Sequence, residues 1–149
     1  MFTDISLNEL ETILKDAENA TNIFCKQSLA ARVAFMNGIA ASLKESESKL
    51  VAMAMQETNL PEARLKNELA RTCNQLKSYA DFCASGQWMD IRIDTADESR
   101  NPPKPDIRKM MTALGPVVVF GASNFPFAYS TAGGDTACAF AAGCAVIVK

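Results

Sequence analysis

The sequence has 149 residues, of which 48% are hydrophobic and 21% are charged, and its formal net charge is −2. This length and composition are typical of a globular protein of one domain, or of one domain and part of another. The balanced charge argues against a nucleic-acid partner, which would need a basic patch. The sequence contains no histidine, so we predict neither a catalytic triad nor a metal site built from the usual ligands.

Cysteine usage and the start of the chain indicate the compartment. The five cysteines are odd in number and form no C-x-x-C motif; they are Cys25, Cys73, Cys83, Cys138 and Cys144. This usage predicts a reducing, cytoplasmic setting. The opening residues MFTDISLNELETILKD lack a basic segment followed by an apolar one, so we expect no secretory signal.

Residues 1–86 are predicted to form a helical region. The capping-box pattern S-x-x-E at residues 6–9 is followed by apolar residues at helical spacing. A second helix is predicted to begin near Ser28, and its apolar stripe resumes after the charged stretch KESESK. Another helix is predicted to follow the TNLP turn at residues 58–61 and to end at Gly86.

Residues 87–113 are predicted to form exposed strands joined by a connector. In WMDIRID, Met89, Ile91 and Ile93 alternate with charged residues, a pattern that predicts a half-exposed strand. The polar, proline-rich segment DESRNPPKPD reads as a connector, and IRKMMTA is predicted to be a second exposed strand.

Residues 114–149 are predicted to form a βαβ unit. Residues 117–120 read as a parallel strand buried on both faces, GASNFP as a turn, and residues from about 127 to 142 as a helix with Gly143 at its C-cap. Residues 145–148 read as the next buried strand, which completes a unit of about 30 residues. The predicted fold is therefore α/β, with helices and exposed strands leading into the first βαβ of a doubly wound parallel sheet.

The uncharged run from Thr112 to Gly134 has an alternative interpretation as a membrane span, because it is long enough to cross a bilayer. Several glycines and prolines interrupt it, and they would weaken or break a spanning helix. We therefore predict a buried strand and turn there, and no membrane partner.

A two-stranded parallel sheet does not form a domain by itself, because its faces and edges need cover. We therefore expect residues 1–149 to be part of a longer protein. The alternative is a non-catalytic oligomerisation or interaction protein that a partner chain completes.

Two polar residues are predicted to meet at one edge of this sheet. Asn124 follows the first parallel strand and Lys149 ends the second, so the two strand ends should lie about 4.8 Å apart if the strands are neighbours. The amide suits oxyanion stabilisation and the lysine suits a phosphate or a ribose hydroxyl. The alternatives are that Asn124 only caps the helix or satisfies its turn, and that Lys149 is only solvated.

Other candidate site residues and motifs in the sequence carry weaker signals. The sequence has no G-x-G-x-x-G motif, which argues against a standard dinucleotide fingerprint and a bare nucleotide-binding module. Asp135 could cap a helix, face solvent or meet a neighbouring chain. For Cys138 and Cys144, inert packing is favoured over a nucleophilic role, since Cys138 lies mid-helix among alanines and Cys144 enters a buried strand.

Two stretches resemble the aldehyde dehydrogenase superfamily. VVVFGASNFPFAYSTAGGDTACAFAAGCAVIVK is similar to its strand, N-[FY]-P turn, helix, AAG and strand ending in lysine, and ETNLPEARLKNELARTCNQLKSYADF to its helix with an E-T-x-L-P signature. FGASNFP together with GGDTA resembles the branch of 2-oxoglutarate semialdehyde (2,5-dioxopentanoate) dehydrogenases and bacterial fatty aldehyde dehydrogenases. The resemblance covers nearly the whole chain but only the amino-terminal third of such an enzyme.

The resemblance implies NADP- or NAD-dependent oxidation of a small aldehyde, with 2,5-dioxopentanoate giving 2-oxoglutarate, or a fatty aldehyde as the alternative substrate. It implies that Asn124 helps to hold the substrate oxyanion and that Lys149 contacts the adenosine ribose or the 2′-phosphate region. The residues implied to lie along the nicotinamide half of the cofactor are Phe120, Gly121, Ala122 and Ser123.

The resemblance also bears on assembly and on completeness. It implies that the two exposed strands belong to an oligomerisation sheet, so that the full-length protein would be a homo-oligomer. The catalytic cysteine, the general-base glutamate and the glutamate at the nicotinamide ribose would all lie beyond Lys149. Residues 1–149 alone are therefore expected to be inactive.

Overall fold

The computed structural model describes residues 4–149, which form five α-helices and four short strands. The helices are α1 (Leu7–Phe24), α2 (Leu29–Glu45), α3 (Glu47–Thr58), α4 (Glu62–Ser85) and α5 (Gly134–Ala142). The strands are β1 (Arg92–Asp94), β2 (Ile107–Lys109), β3 (Val117–Val119) and β4 (Val146–Val148), and a 3₁₀ turn at Gln87–Met89 follows α4.

Helix α4 lies at the centre of the helical part and packs against α2, α3 and α5. Its buried side chains recur at helical spacing and include Leu65, Leu69, Thr72, Leu76, Ala80 and Cys83. The predicted helix is confirmed together with its end, because Gly86 takes the left-handed conformation with φ 64°, which glycine adopts without a steric penalty.

Capping groups mark the starts of the first two helices, as the sequence predicts. The Ser6 hydroxyl accepts a hydrogen bond from the Glu9 backbone N–H (3.3 Å), and the Glu9 carboxylate accepts one from the Ser6 N–H (2.8 Å). The Ser28 hydroxyl caps α2 by accepting from the Ala31 N–H at 3.1 Å. Both bonds at residue 6 complete the predicted capping box.

Two buried polar side chains tie the amino-terminal helices to the end of the chain. Arg32 of α2 is 6% exposed, and its guanidinium donates to the Cys25 carbonyl (2.6 Å) and to the Ala141 carbonyl (3.4 Å). Thr21 of α1 accepts from the Ala145 N–H at 3.1 Å. Because a buried polar group without a partner costs stability, these bonds fix where α1 and α2 meet α5 and β4.

Strands β1 and β2 form an antiparallel pair with Arg92 opposite Lys109 and Asp94 opposite Ile107. Two predicted exposed strands are thus confirmed, but the first is shorter than expected. Its first residues form the 3₁₀ turn instead, because Asp90 takes the left-handed conformation with φ 43°, which interrupts extended backbone. The pair is exposed on both sides rather than half-buried, since no other described element covers it.

Strands β3 and β4 pair in parallel, with Val117 beside Val146 and Val119 beside Val148. This confirms the predicted parallel neighbours. The expectation that β3 is buried on both faces is wrong for the described part of the chain: Val119 is 4% exposed, but Val118 is 47% exposed. Helix α5 packs against both strands and α1 contacts β4, yet the Val118 side of β3 stays open to solvent.

Helix α5 begins at Gly134, later than the predicted start near residue 127. The intervening residues form turns, because Gly133 is extended (φ −74°, ψ −171°) and the Gly134 N–H donates back to the Ala128 carbonyl at 3.1 Å. Adjacent glycines also weaken a helix. The predicted end is confirmed, since Gly143 caps α5 with φ 88°.

The uncharged run from Thr112 to Gly134 forms β3 followed by turns, as predicted. Among the helices of residues 4–149, none combines the length and the apolar character that a membrane crossing needs.

Replacing Gly133 with alanine is predicted to destabilise the fold. The added Cβ would lie 2.4 Å from the Ala128 carbonyl oxygen, so the backbone must shift, at an expected cost of about 1–3 kcal/mol in the free energy of unfolding. The matched control is Gly38→Ala in α2, where a Cβ meets nothing within 4 Å and should stabilise by about 0.5–1 kcal/mol. Urea titrations followed by circular dichroism measure both, and an unchanged midpoint for Gly133→Ala would contradict the prediction.

Candidate active site

The carboxyl ends of β3 and β4 lie side by side at one edge of the parallel sheet. The Lys149 N–H donates to the Val119 carbonyl at 2.9 Å, and the Gly121 N–H donates to the Lys149 carbonyl at 2.9 Å. The ladder thus continues past both strands. Lys149 is exposed directly beside the turn that carries Asn124, as the sequence predicts.

Asn124 sits in a tight turn between β3 and α5. The turn is closed by a bond from the Ala122 N–H to the Tyr129 carbonyl (2.7 Å) and by one from the Phe125 N–H to the Ala122 carbonyl (3.3 Å). The Asn124 residue is exposed, and its backbone carbonyl accepts from Arg64 Nη2 at 2.8 Å. The alternative that Asn124 caps the helix is wrong, since α5 begins ten residues later and Gly133 is its N-cap.

An open groove of about 610 Å³ runs past this turn. Four predicted site residues, Gly121, Ala122, Ser123 and Asn124, line one side of it, and residues of the α3–α4 region, including Glu57 and Arg64, line the other. Two predicted residues lie outside the groove: Phe120 is 70% exposed just before it, and Lys149 borders Gly121 at the sheet edge. An amide in such a groove can donate a hydrogen bond to a ligand carbonyl oxygen.

Two arginines of α4 flank the turn. The Arg64 guanidinium lies 5.4 Å from the centroid of the Phe125 ring, and that of Arg71 lies 5.4 Å from the centroid of the Tyr129 ring. The two rings contact each other edge to face at 5.4 Å. Arg71 also donates to the Tyr129 hydroxyl at 3.0 Å. These contacts make this side of the turn cationic and aromatic.

A buried carboxylate of α4 also contacts this segment, and the sequence reasoning missed it. Glu68 is 6% exposed, and its Oε1 accepts from the backbone N–H groups of Phe127 (2.8 Å) and Ala128 (3.0 Å). A signal was present, because Glu68 falls between Leu65 and Leu69 in the buried stripe of α4. A charged residue at such a position needs partners inside the protein.

The cysteines divide into buried and accessible thiols. Cys144 is 3% exposed, which confirms its predicted packing. Cys138 is exposed, so the expectation that it packs is wrong; its neighbours Ala137 and Ala139 take the buried positions of α5 instead. Burial raises the pKa of the Cys73 and Cys83 thiols.

Metal ligands do not cluster in the part of the chain that the structure describes. Within residues 4–149 no group of three or more His, Cys, Asp or Glu side chains is arranged to hold a metal ion.

Alkylation by iodoacetamide at about pH 8 is predicted to modify Cys138 in the folded protein and to leave Cys73 and Cys83 unmodified, because the thiolate is the reactive form. A raised folded pKa means that these two thiols favour folding below the unfolded cysteine pKa of about 8.5, and that this contribution is lost as the pH rises through the folded values. Mass spectrometry of the alkylated peptides measures how far each cysteine has been modified. Protein unfolded in guanidinium, where all five should react, is the control; labelling of folded Cys83 as fast as Cys138 would contradict the prediction.

Comparison with known proteins places the chain among named relatives. The model of the "Aldehyde dehydrogenase family" matches residues 2–149. The chain is 46% identical over 142 residues to alpha-ketoglutaric semialdehyde dehydrogenase 2 of Azospirillum brasilense, covering 95% of this chain and 27% of that protein. It is 41% identical over 150 residues to alpha-ketoglutaric semialdehyde dehydrogenase of Acinetobacter baylyi, covering 100% and 28%. The chain thus spans little more than a quarter of the length of these relatives.

Solved structures show the same fold. The 3,6-anhydro-L-galactose dehydrogenase in complex with NAP aligns with a TM-score of 0.83 at 23% identity, covering 99% of this chain and 29% of that one. The NAD-dependent benzaldehyde dehydrogenase from Corynebacterium glutamicum aligns with a TM-score of 0.78 at 23% identity, covering 97% and 30%. These likenesses confirm the predicted α/β architecture.

Proposed function

The chain belongs to the aldehyde dehydrogenase family, and from this premise we propose that it is the amino-terminal part of an enzyme that oxidises an aldehyde to a carboxylic acid with a nicotinamide cofactor. The observation that carries the proposal is the position of Asn124, exposed in a groove at the carboxyl edge of the β3–β4 sheet. Open α/β sheets bind their ligands at this edge.

Asn124 has the chemistry that the first step of such a reaction needs. When a nucleophile attacks an aldehyde, the carbonyl oxygen gains negative charge, and an amide N–H aimed at that oxygen stabilises the charge. The Asn124 side chain makes no hydrogen bond to any residue from 4 to 149, so its donors are open to a ligand. The nucleophile and the general base would be supplied by sequence outside these 149 residues.

The residues beside Asn124 fit a nicotinamide cofactor. Phe120 exposes 70% of its surface, Gly121 has no side chain, and Lys149 places a cation at the same edge. We propose that Phe120, Gly121, Ala122 and Ser123 contact the nicotinamide half, and that Lys149 contacts the adenosine ribose or a 2′-phosphate. A nicotinamide cofactor held there would supply the acceptor for the hydride that leaves the aldehyde carbon. A lysine at this place suits NADP, with NAD as the alternative.

The proposed substrate is 2,5-dioxopentanoate, which would give 2-oxoglutarate. Two relatives with 41–46% identity are named alpha-ketoglutaric semialdehyde dehydrogenases. Arg64 also lines the groove, and a cation there suits an aldehyde whose far end is a carboxylate better than one with an alkyl tail. A fatty aldehyde is the alternative substrate.

The free cysteines support a cytoplasmic location.

An activity assay tests this proposal. The full-length protein that contains residues 1–149 is expected to reduce NADP⁺ faster with 2,5-dioxopentanoate than with decanal. Residues 1–149 expressed alone are expected to be inactive, since no nucleophile has been placed beside Asn124. NADPH absorbance measures both reactions. Faster turnover of decanal would contradict the substrate, and NADPH formation by residues 1–149 alone would contradict the inactivity.

The β1–β2 pair is proposed as an oligomerisation surface of the full-length protein. The apolar side chains in the pair and directly beside it are more than half exposed; they are Ile91, Ile93, Ile107, Met110 and Met111. A two-stranded pair is marginally stable by itself, and no other described element covers this one. A second copy of the chain would cover the exposed side chains and pair the free strand edges.

Replacing Ile93 with lysine is predicted to shift the full-length protein towards a smaller species, because a charge in an apolar interface is costly to desolvate. Size-exclusion chromatography with light scattering measures the mass. Met53→Lys is the matched control, since Met53 is 55% exposed on α3, away from the strands, and Ile93 is 62% exposed. An unchanged mass for Ile93→Lys, or an equal shift for both variants, would contradict the proposed surface.

A further inference from the structure

We propose that Glu68 is a positioning residue that aims the Asn124 amide by fixing the backbone just after the Asn124 turn. This inference rests on the proposed role of Asn124 as an oxyanion donor. Glu68 lines no part of the groove that Asn124 borders, so its effect is exerted through the chain.

Glu68 contacts the segment that follows the turn through one carboxylate oxygen. Oε1 accepts from the N–H groups of Phe127 (2.8 Å) and Ala128 (3.0 Å), which follow Asn124 by three and four residues. Oε2 is buried and has no hydrogen-bond partner among residues 4–149. Both bonds have the usual length of an N–H···O hydrogen bond, and at 6% exposure water competes little for them.

The fixed backbone is connected directly to the turn. Ala128 is 0% exposed and is followed by Tyr129, whose carbonyl accepts from the Ala122 N–H at 2.7 Å. Residues 122–129 therefore form a closed loop with Asn124 inside it. The bond between Ala122 and Tyr129 closes this loop. Glu68 binds the N–H of Ala128, the residue just before Tyr129.

Glu68 lies on the tightly packed face of α4. The neighbours of Glu68 in the buried face of α4, Leu65 and Leu69, are 0% and 1% exposed. Arg64 makes a second contact, donating to the Asn124 carbonyl at 2.8 Å, but that bond is exposed and exposed charged groups contribute little. Among the three α4 side chains that contact this segment, Glu68 alone is buried, and its two bonds are therefore the ones best shielded from water.

The position of the Asn124 amide matters, because an oxyanion donor is effective only when it is in place before the reaction. A displacement of about 1 Å can cost roughly 100-fold in rate, and removing such a donor costs about 100- to 1,000-fold in kcat. Loss of the Glu68 anchor should therefore lower kcat while leaving the KM for the aldehyde nearly unchanged, because Arg64, which is proposed to meet the substrate carboxylate, belongs to α4 and not to the loop.

A double-mutant cycle in the full-length protein tests the inference, using 2,5-dioxopentanoate and NADP⁺. Asn124→Ala is expected to lower kcat by about 100-fold or more, and Glu68→Ala by about 10-fold or more. In the Asn124→Ala background, Glu68→Ala is expected to lower kcat by less than about 3-fold, because the group that it positions is gone. A merely structural role of Glu68 would lower kcat equally in both backgrounds.

Two substitutions keep the test informative if Glu68→Ala does not fold. Glu68→Gln retains an oxygen at Oε1 that can accept both bonds, and it is expected to keep kcat within about 3-fold of wild type. Glu68→Asp keeps the charge but is one methylene shorter, so it is expected to lower kcat by about 10-fold and takes the place of alanine in the cycle. Glu62→Gln is the matched control, since Glu62 is an exposed residue of α4 paired with Lys66.

The outcomes separate this inference from the function on which it rests. An unchanged kcat for Asn124→Ala would overturn the proposed oxyanion role and the inference with it. A large loss for Asn124→Ala together with an equal effect of the Glu68 variants in both backgrounds would overturn the inference alone. A loss for Glu68→Gln as large as that for Glu68→Asp would also overturn it, because the acceptor oxygen would then not be what matters.

Discussion

The buried face of α4 is the constraint on which the rest of the structure depends. Its apolar residues pack against α2 and α5 in one cluster and against α3 in another, so this single helix joins the amino-terminal helices to the parallel sheet. Burial of these side chains is the main source of stability in a domain of this size. The sheet contributes less, because β3 and β4 have three residues each and Val118 and Val148 remain exposed.

The same helix also shapes the groove by polar contacts. Within two turns of α4, Arg64, Glu68 and Arg71 each contact the segment that joins β3 to α5. Their spacing of four and three residues places them on one side of the helix. A loop would otherwise be among the more mobile parts of a fold, and here a rigid element borders it along its length. The helix therefore serves both as core and as support for the site.

Local signals predicted much of this arrangement, and distant contacts account for what they missed. The ends of α4 and α5 followed from glycine at Gly86 and Gly143, and the parallel neighbours from two short β-branched runs. The start of α5 did not follow, because the segment before it is held by Glu68 from 59 and 60 residues away. The sequence also predicted the strand ends that bring Asn124 and Lys149 to one edge. It could not show that Phe120 and Lys149 lie outside the groove, since that depends on how α3 and α4 pack beside it.

The buried guanidinium of Arg32 has a consequence for how the protein folds as it is synthesised. Its bond to the Ala141 carbonyl spans 109 residues, and the bond between Thr21 and Ala145 spans 124. Until α5 has left the ribosome, Arg32 keeps its local bond to the Cys25 carbonyl but lacks the Ala141 carbonyl, and burying it without this second partner would cost about 1.5–3 kcal/mol. We therefore expect Arg32 and Thr21 to stay hydrated, and α1 and α2 to reach their final positions, only after more than a hundred further residues have been made.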